Sequence, residues 1–258
     1  MTDALKEVER LARDLYGQAA FEPVRGVLHV VSALETGDKR LHVIKIGPSA
    51  PKSETDWFVL NFWRAHCDAI LSTAAIVRAE PALSHALQGE HAAGLSLYRQ
   101  QVLGKQLPPL CAILSHDGSI PSAHPVWDDP LRNYVLTTPT RAGALQRQLG
   151  GRVPVVGIAD LDPRRALAWL RVQGARVVLI EAGPMTAARF YDDPPAVDHL
   201  LLSRCEAPVA LAAVGGALPE PTRLFAGLRC ATSSARDEAS GRWRFERWDR
   251  APSPTPSA

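Results

Sequence analysis

What this sequence lacks narrows its possible roles. Its 258 residues hold only four cysteines, Cys67, Cys111, Cys205 and Cys230. They are widely separated, so no CxxC pair and no paired metal-ligand spacing exists. Cys67, Cys111 and Cys205 lie in or beside apolar runs and read as buried free thiols. A reducing compartment suits them. Charge of either sign is scarce in excess: 29 Lys and Arg against 27 Asp and Glu leave a net +2. That excludes the strong basic footprint of a nucleic-acid binder and the character of an acidic-tail protein. Long apolar runs are missing too, and the charged segment Met1 to Arg13 has no signal-like apolar core. A soluble, cytoplasmic protein without nucleic-acid or membrane partners is expected. No internal repeat is evident. No G-x-G-x-x-G follows the first strand, which argues against a Rossmann-type dehydrogenase.

What is present is a 46% hydrophobic chain, long enough for one large α/β domain or two small ones. Residues 1–22 read as an amphipathic helical arm, with Leu5, Val8, Leu11, Ala12 and Leu15 on one face. Such an arm covers its own domain or a partner. Val24 to Leu34 reads as a strand, a polar turn follows at Thr36–Lys39, and Leu41 to Ile46 reads as the returning strand. Ser53 to Cys67 is expected to be a helix, capped by Ser53 with Asp56 three residues on. Asp68 to Leu71 gives a short buried strand. Helix is expected near Ser84 to Arg99. His85 and His91, six apart, lack one-face ligand spacing and read as surface histidines.

Three short strands follow, at Leu110–Ser115, Asn133–Thr137 and Val153–Ile158. Asp162 and Pro163 open a helix that Gly174 closes. Val197 to Cys205 reads as another strand, Gly215-Gly216 as a loop, and Arg229–Ser234 with Trp243–Trp248 as a closing hairpin. Residues 251–258, rich in Pro and Ser, read as disordered. Strands alternating with helices argue for a mostly parallel sheet, and the final hairpin for an antiparallel edge.

The most informative segment is 176–184, Arg-Val-Val-Leu-Ile-Glu-Ala-Gly-Pro. An apolar strand ends in a carboxylate, a small residue, glycine and proline, and Met185 to Tyr191 reads as helix. A strand, tight turn and helix start of this kind aims free backbone N–H groups at one point and can bind phosphate. Glu181 would sit at the carboxyl end of a parallel strand, where open α/β sheets place ligands. A plain strand-to-helix turn with a surface glutamate fits the segment equally well.

Four segments, in order, carry a resemblance. They are Arg64-Ala-His-Cys-Asp-Ala-Ile-Leu71; the loop from Ser72 to Leu83; Pro108 to Ser115 with Asn133 to Thr138; and Leu179-Ile-Glu-Ala-Gly-Pro184 followed by Val197 to Leu202. Together, from about Val24 to Trp248, they resemble the C-terminal reductase domain of the bacterial bifunctional riboflavin-biosynthesis deaminase/reductase, the pyrimidine reductase family. The resemblance implies a dihydrofolate-reductase-like α/β fold, a mostly parallel twisted sheet flanked by helices with an antiparallel C-terminal hairpin. The reductase-like domain would span residues 23–250. It also implies a homodimer that uses NADPH to reduce the ribosyl ring of a phosphoribosylaminopyrimidine, or a related pyrimidine or pterin.

By the same resemblance, Ala182, Gly183 and Pro184, with Met185 and Thr186 at the helix start, would hold the cofactor pyrophosphate. Ser72, Thr73, Ile76 and Glu80 would line the cofactor loop, and Ser115 would face the adenosine 2′-phosphate. Ser32, Leu83 and Glu181 would contact substrate. Hydride transfer needs positioning more than a protein acid or base, so no catalytic group and no metal is nominated.

The chain departs from the pattern in several places. Ser32-Ala-Leu-Glu-Thr-Gly37 stands where the family usually has Ser-Leu-Asp-Gly. Thr73-Ala-Ala-Ile76 replaces Gly-x-Gly-Thr, and Ala182 replaces a glycine. Ser84-His85-Ala86 occupies the place of a phosphate-binding arginine, for which Arg78 and Arg99 are alternatives. The zinc-deaminase signature is absent, so a stand-alone reductase-like domain is expected. A second reading follows, in which a reductase fold has lost catalysis and binds a nucleotide or protein partner.

Overall fold

The computed structural model describes residues 2–37 and 39–251. Asp38 of the first turn and residues 252–258 of the expected disordered tail lie outside them. Helix α1 (Asp3–Tyr16) opens the chain, capped by the Thr2 hydroxyl. Strands β1 (Gly26–Glu35) and β2 (Leu41–Ile44) form the expected antiparallel hairpin. Helix α2 (Glu54–His66) starts where Ser53 Oγ accepts the Asp56 N–H at 2.8 Å. It leads into β3 (Ala69–Thr73), buried on both faces. Short α3 (Ala74–Ala79) and α4 (Ala92–Leu97) precede β4 (Leu110–Leu114), β5 (Arg132–Thr137), α5 (Pro139–Gln148) and β6 (Val155–Gly157). Then come α6 (Pro163–Val172), capped by Asp162, β7 (Val177–Ile180), α7 (Pro184–Ala188) and β8 (His199–Cys205). Strand β9 (Val214–Ala217), α8 (Pro221–Leu224), β10 (Leu228–Glu238) and β11 (Gly241–Arg250) complete the chain.

The sheet runs β10-β11-β8-β1-β7-β3-β4-β5-β6, with β2 and β9 paired off the end of β1. From β8 through β6 every neighbouring pair is parallel, and β11 and β10 add an antiparallel edge. The fold is therefore the mixed, mostly parallel α/β architecture expected. Strand β7 enters between β1 and β3 after the chain has run outward to β6. That reversal opens a crevice at the carboxyl ends of β7 and its neighbours.

Alternate residues along each strand face two cores. Leu28, Ile70, Cys111, Ile113, Val135 and Leu179 face the core under α1, α2, α4 and α5. Val27, Leu71, Ala112, Leu136, Val178 and Ile180 face the one under α6, α7 and α8. Helix α1 is built into the first core through Leu5, Val8, Ala12, Leu15 and Tyr16. Cys67, Cys111 and Cys205 are buried and free, and Cys230 is exposed. Trp63, Trp243 and Phe245 lie in the core, while Trp57 is 42% exposed. Among the described residues no helix is long and apolar enough to cross a membrane.

Three local expectations are corrected. The helix expected over Ser84–Arg99 is confined to α4 and a π turn, Tyr98–Val102. The Ser84 side chain and the His85 N–H both bond the Asp129 carboxylate, and Gly89 has φ +83°, so the chain cannot coil before Ala92. Gly215 and Gly216 lie in strand β9 rather than a loop. A Cβ at Gly215 would meet the Val43 carbonyl oxygen at 2.8 Å, so glycine permits β9 to approach β2. The helix expected over Met185–Tyr191 is α7 followed by a single 3-10 turn at Arg189–Tyr191.

The crossing of α1 and α4 also depends on a glycine. A Cβ at Gly94 would sit 2.6 Å from the Ala4 carbonyl oxygen and 2.9 Å from Val8. Gly94→Ala is expected to force the helices apart and cost about 1–3 kcal/mol in urea denaturation. An unchanged midpoint would mean that α1 is not docked as described.

Candidate active site

The face alternation places one polar side chain at the carboxyl end of each central strand. Ser72 follows Ile70, Ser115 follows Ile113, Thr137 follows Val135 and Glu181 follows Leu179, so all four face the first core. Ser72, Ser115 and Thr137 are at most 1% exposed, and their hydroxyls have no protein partner. Buried hydroxyls without partners cost free energy and call for an explanation.

Glu181 is not the surface glutamate of the plain-turn reading. Its side chain is 11% exposed and grips Arg64 of α2, which is 3% exposed. The contact is bidentate, Arg64 Nε to Oε1 and Nη2 to Oε2, each at 2.7 Å. A planar guanidinium fork fits a carboxylate in this way. Burial is the largest single influence on the Glu181 carboxyl and pushes it up. The charge and hydrogen bonds of Arg64 more than reverse this and hold the carboxyl below its usual range. The third Arg64 contact runs from Nη1 to the Ala86 carbonyl oxygen at 3.1 Å.

Two other carboxyls move the opposite way. Burial, then the charge of Glu181, pushes Glu80 up. Burial also pushes Asp56 up, against the hydrogen bond that Ser32 Oγ donates to its Oδ2 at 2.7 Å. Ser32 is thereby tied to α2, farther along the strand direction than Glu181: its register partner is Ser203, while His29 pairs with Ile180.

Two helices begin at the ends of the neighbouring strands β3 and β7. Thr73 caps α3, its hydroxyl accepting the Ile76 N–H at 3.4 Å. Gly183 caps α7 without a side-chain bond, and a Cβ there would have nothing within 4 Å. Ala182, Gly183, Pro184 and Thr186 are half-buried here, whereas Met185 is 88% exposed and points outward. Ile76 is half-buried against the core that includes Leu83. Of the expected residues, Ser72, Thr73, Glu80, Ser115 and Glu181 thus gather at one end of the sheet, with the 182–184 turn beside them.

Neither alternative arginine reaches this end free. Arg99 spends its guanidinium on the carbonyls of Ala65, Cys67 and Leu107. It lines a cavity of about 290 Å³ at the amino ends of the strands, with Asp68, Lys105 and Arg132. Arg78 is exposed and bonds the Ser119 carbonyl beside Asp117.

His85 is the main correction. It is 1% exposed, its two ring nitrogens have no hydrogen-bond partner, and Nε2 lies 4.0 Å from Glu181 Oε2. No local spacing announces it, because the segment that buries it is held by Asp129, 44 residues away. Thr137 was missed for a different reason: it is an ordinary last residue of a strand until its neighbours are known.

The family model of the RibD C-terminal domain matches residues 44–209. The chain belongs to that family. RibD-type domains are riboflavin-type reductase domains, and three solved structures share the fold. A pyrimidine reductase-like protein from Corynebacterium diphtheriae superposes with a TM-score of 0.66 at 18% identity, over 94% of this chain and 99% of that one. Acinetobacter baumannii RibD gives 0.61 at 18% identity, over 91% of this chain but only 60% of its own. A riboflavin biosynthesis reductase from Saccharomyces cerevisiae gives 0.56 at 15% identity, over 94% and 99%. At these identities the likeness establishes the RibD-type fold. No curated protein matches the chain.

Arg64→Met tests the central pair. It leaves the Glu181 carboxylate buried and unpaired and should cost about 3–5 kcal/mol at pH 7. Without Arg64, burial alone would raise the Glu181 pKa above its unfolded value. Protonation would then relieve the defect, so the gap from wild type should narrow as pH falls from 7 to 4. Chemical denaturation at both pH values reads this, and a gap that is constant or widens at low pH would refute it.

Proposed function

We propose that this protein is an NADPH-dependent reductase acting on a phosphoribosylaminopyrimidine or a related pyrimidine or pterin. The observation that carries this reading is the row of buried, unpartnered hydroxyls at the strand ends, Ser72, Ser115 and Thr137. Beside it lies the open turn at Gly183. Orphaned hydroxyls next to two helix starts fit a phosphate- and ribose-bearing cofactor. The 182–184 turn would hold the pyrophosphate, with Thr186 in the turn of helix behind it. Ser72 and Ser115 would meet the sugar and phosphate groups, and Thr137 extends their row. When bound, the cofactor supplies the hydride.

The protein's own part is to place the substrate and manage a proton. Glu181, held ionised by Arg64, fixes one wall. Glu80 and Asp56, both shifted up by burial, take up a proton more readily than ordinary carboxyls. Ser32 and Leu83 lie toward the substrate side in this reading. The proposal extends, on the family resemblance alone, to a cytoplasmic homodimer.

A nucleotide-binding protein without catalysis is the second reading. It is favoured by the Thr73 hydroxyl, already engaged in capping α3, and by Glu181, whose two oxygens are already engaged by Arg64.

Gly183→Val separates cofactor binding from folding. A Cβ at the site would meet nothing within 4 Å and its φ of −58° suits any residue, so the melting temperature should stay within about 2 °C of wild type. The NADPH-induced rise in melting temperature should weaken by about tenfold in apparent affinity, about 1.4 kcal/mol. Wild-type protein that shows no NADPH response would refute the cofactor reading. An undiminished response in the variant would move the pyrophosphate elsewhere.

A further inference from the structure

His85 is held in place from both sides. Ser84 Oγ donates to Asp129 Oδ1 at 2.6 Å, and the His85 N–H donates to Asp129 Oδ2 at 2.8 Å. On the other side the Ala86 carbonyl accepts from Arg64, and the Gln88 N–H donates to Asn61 Oδ1 at 2.9 Å. The strap 84–88 therefore presents the imidazole to the Glu181–Arg64 pair. Both ring nitrogens are buried and have no hydrogen-bond partner in the protein. Leaving such atoms unsatisfied costs free energy, and a ligand that bonds them would recover it.

The groups facing the ring are Glu181 at the end of β7, Arg64 on α2, and Asp129 and His124 from the segment after β4. Burial dominates and pushes the imidazole down to about 4, so it is neutral at pH 7. The single nearby guanidinium is already matched by a carboxylate, Arg64 by Glu181. A phosphate brought here would lose its water and find no unmatched positive charge, an expensive transfer. A neutral imidazole instead offers one donor and one acceptor, which suits a hydroxyl or an amide edge.

We propose that His85 is a specificity-determining residue. Its imidazole hydrogen-bonds an uncharged hydroxyl or amide group of the substrate beside Glu181, so that the site takes a ribosylaminopyrimidine lacking the phosphate ester. This rests on the reductase reading for the pyrimidine, but not for the charge preference.

Calorimetry on the full chain with a ribosylaminopyrimidine and its phosphate ester tests it. Wild type should bind the unphosphorylated compound at least about tenfold tighter. His85→Arg should invert that order, and His85→Asn, which keeps a donor and an acceptor, should preserve it. Where His85→Arg does not fold, His85→Phe decides: it should lose about tenfold in affinity for the unphosphorylated compound while its NADPH-induced melting shift stays as in wild type.

Equal or tighter binding of the phosphate ester by wild type would overturn the proposal. So would binding of neither compound, or a folded His85→Arg variant with an unmoved ratio. The NADPH melting shift, run alongside, keeps the two readings apart. Its absence with the preference intact sinks the cofactor alone, and its presence without the preference sinks the role of His85 alone.

Discussion

The buried pair of Arg64 and Glu181 is the contact on which the arrangement of this site depends. A buried ion pair is weak grounds for net stability, because desolvating two charges offsets much of their attraction. Its value here is positional. One guanidinium fixes the end of β7 through two hydrogen bonds and the 84–88 strap through a third. Helix α2, the switch-point strand and the strap are therefore registered against one another by a single side chain. Cutting it would release three elements at once.

Around that anchor the carboxyls divide. Glu181 is held below its usual range by Arg64, while Glu80 and Asp56 are pushed above theirs. Such environments leave one carboxyl, Glu181, as a fixed charge and make the other two easier to protonate. The anchoring charge itself helps to raise Glu80. The pair thus shapes the electrostatics of the site as well as its geometry.

Much of the fold was legible because its signals are local. Ser53 and Asp162 cap α2 and α6 as their spacing implies, and the apolar run 177–180 is a strand buried on both faces. The turn at Glu181 to Pro184 lies, as read, between that strand and the start of α7. Helix α5 was overlooked although Thr138 and Pro139 mark its start, because its apolar face is thin: Leu145 is its single buried residue. The misreadings at Ser84–Arg99 and at His85 share one cause. Asp129 reaches back across the chain and holds the segment extended, and no window of sequence contains both partners. Gly215-Gly216 looked like a loop because glycine in a strand is explained by what approaches it, here the Val43 backbone. Pairings between residues distant in sequence decided what local periodicity could not.

Helix α1 and strand β11 share one core. Leu5, Val8 and Leu15 belong to the same cluster as Trp243 and Phe245, and the Tyr16 ring meets Trp63 edge-on at 5.6 Å. Arg247 of β11 bonds the Ala19 carbonyl and lies over the Trp63 ring, while Arg236 of β10 donates to the Asp14 carbonyl at 2.9 Å. During translation the first helix therefore emerges long before the strands that complete its seat. Until residues 241–250 leave the ribosome, Trp63 and the inner face of α1 lack the part of their seat that β11 provides. Closure over more than two hundred residues is entropically slow. The nascent chain thus has a long interval in which chaperone capture competes with folding, and the arrival of β11 ends it.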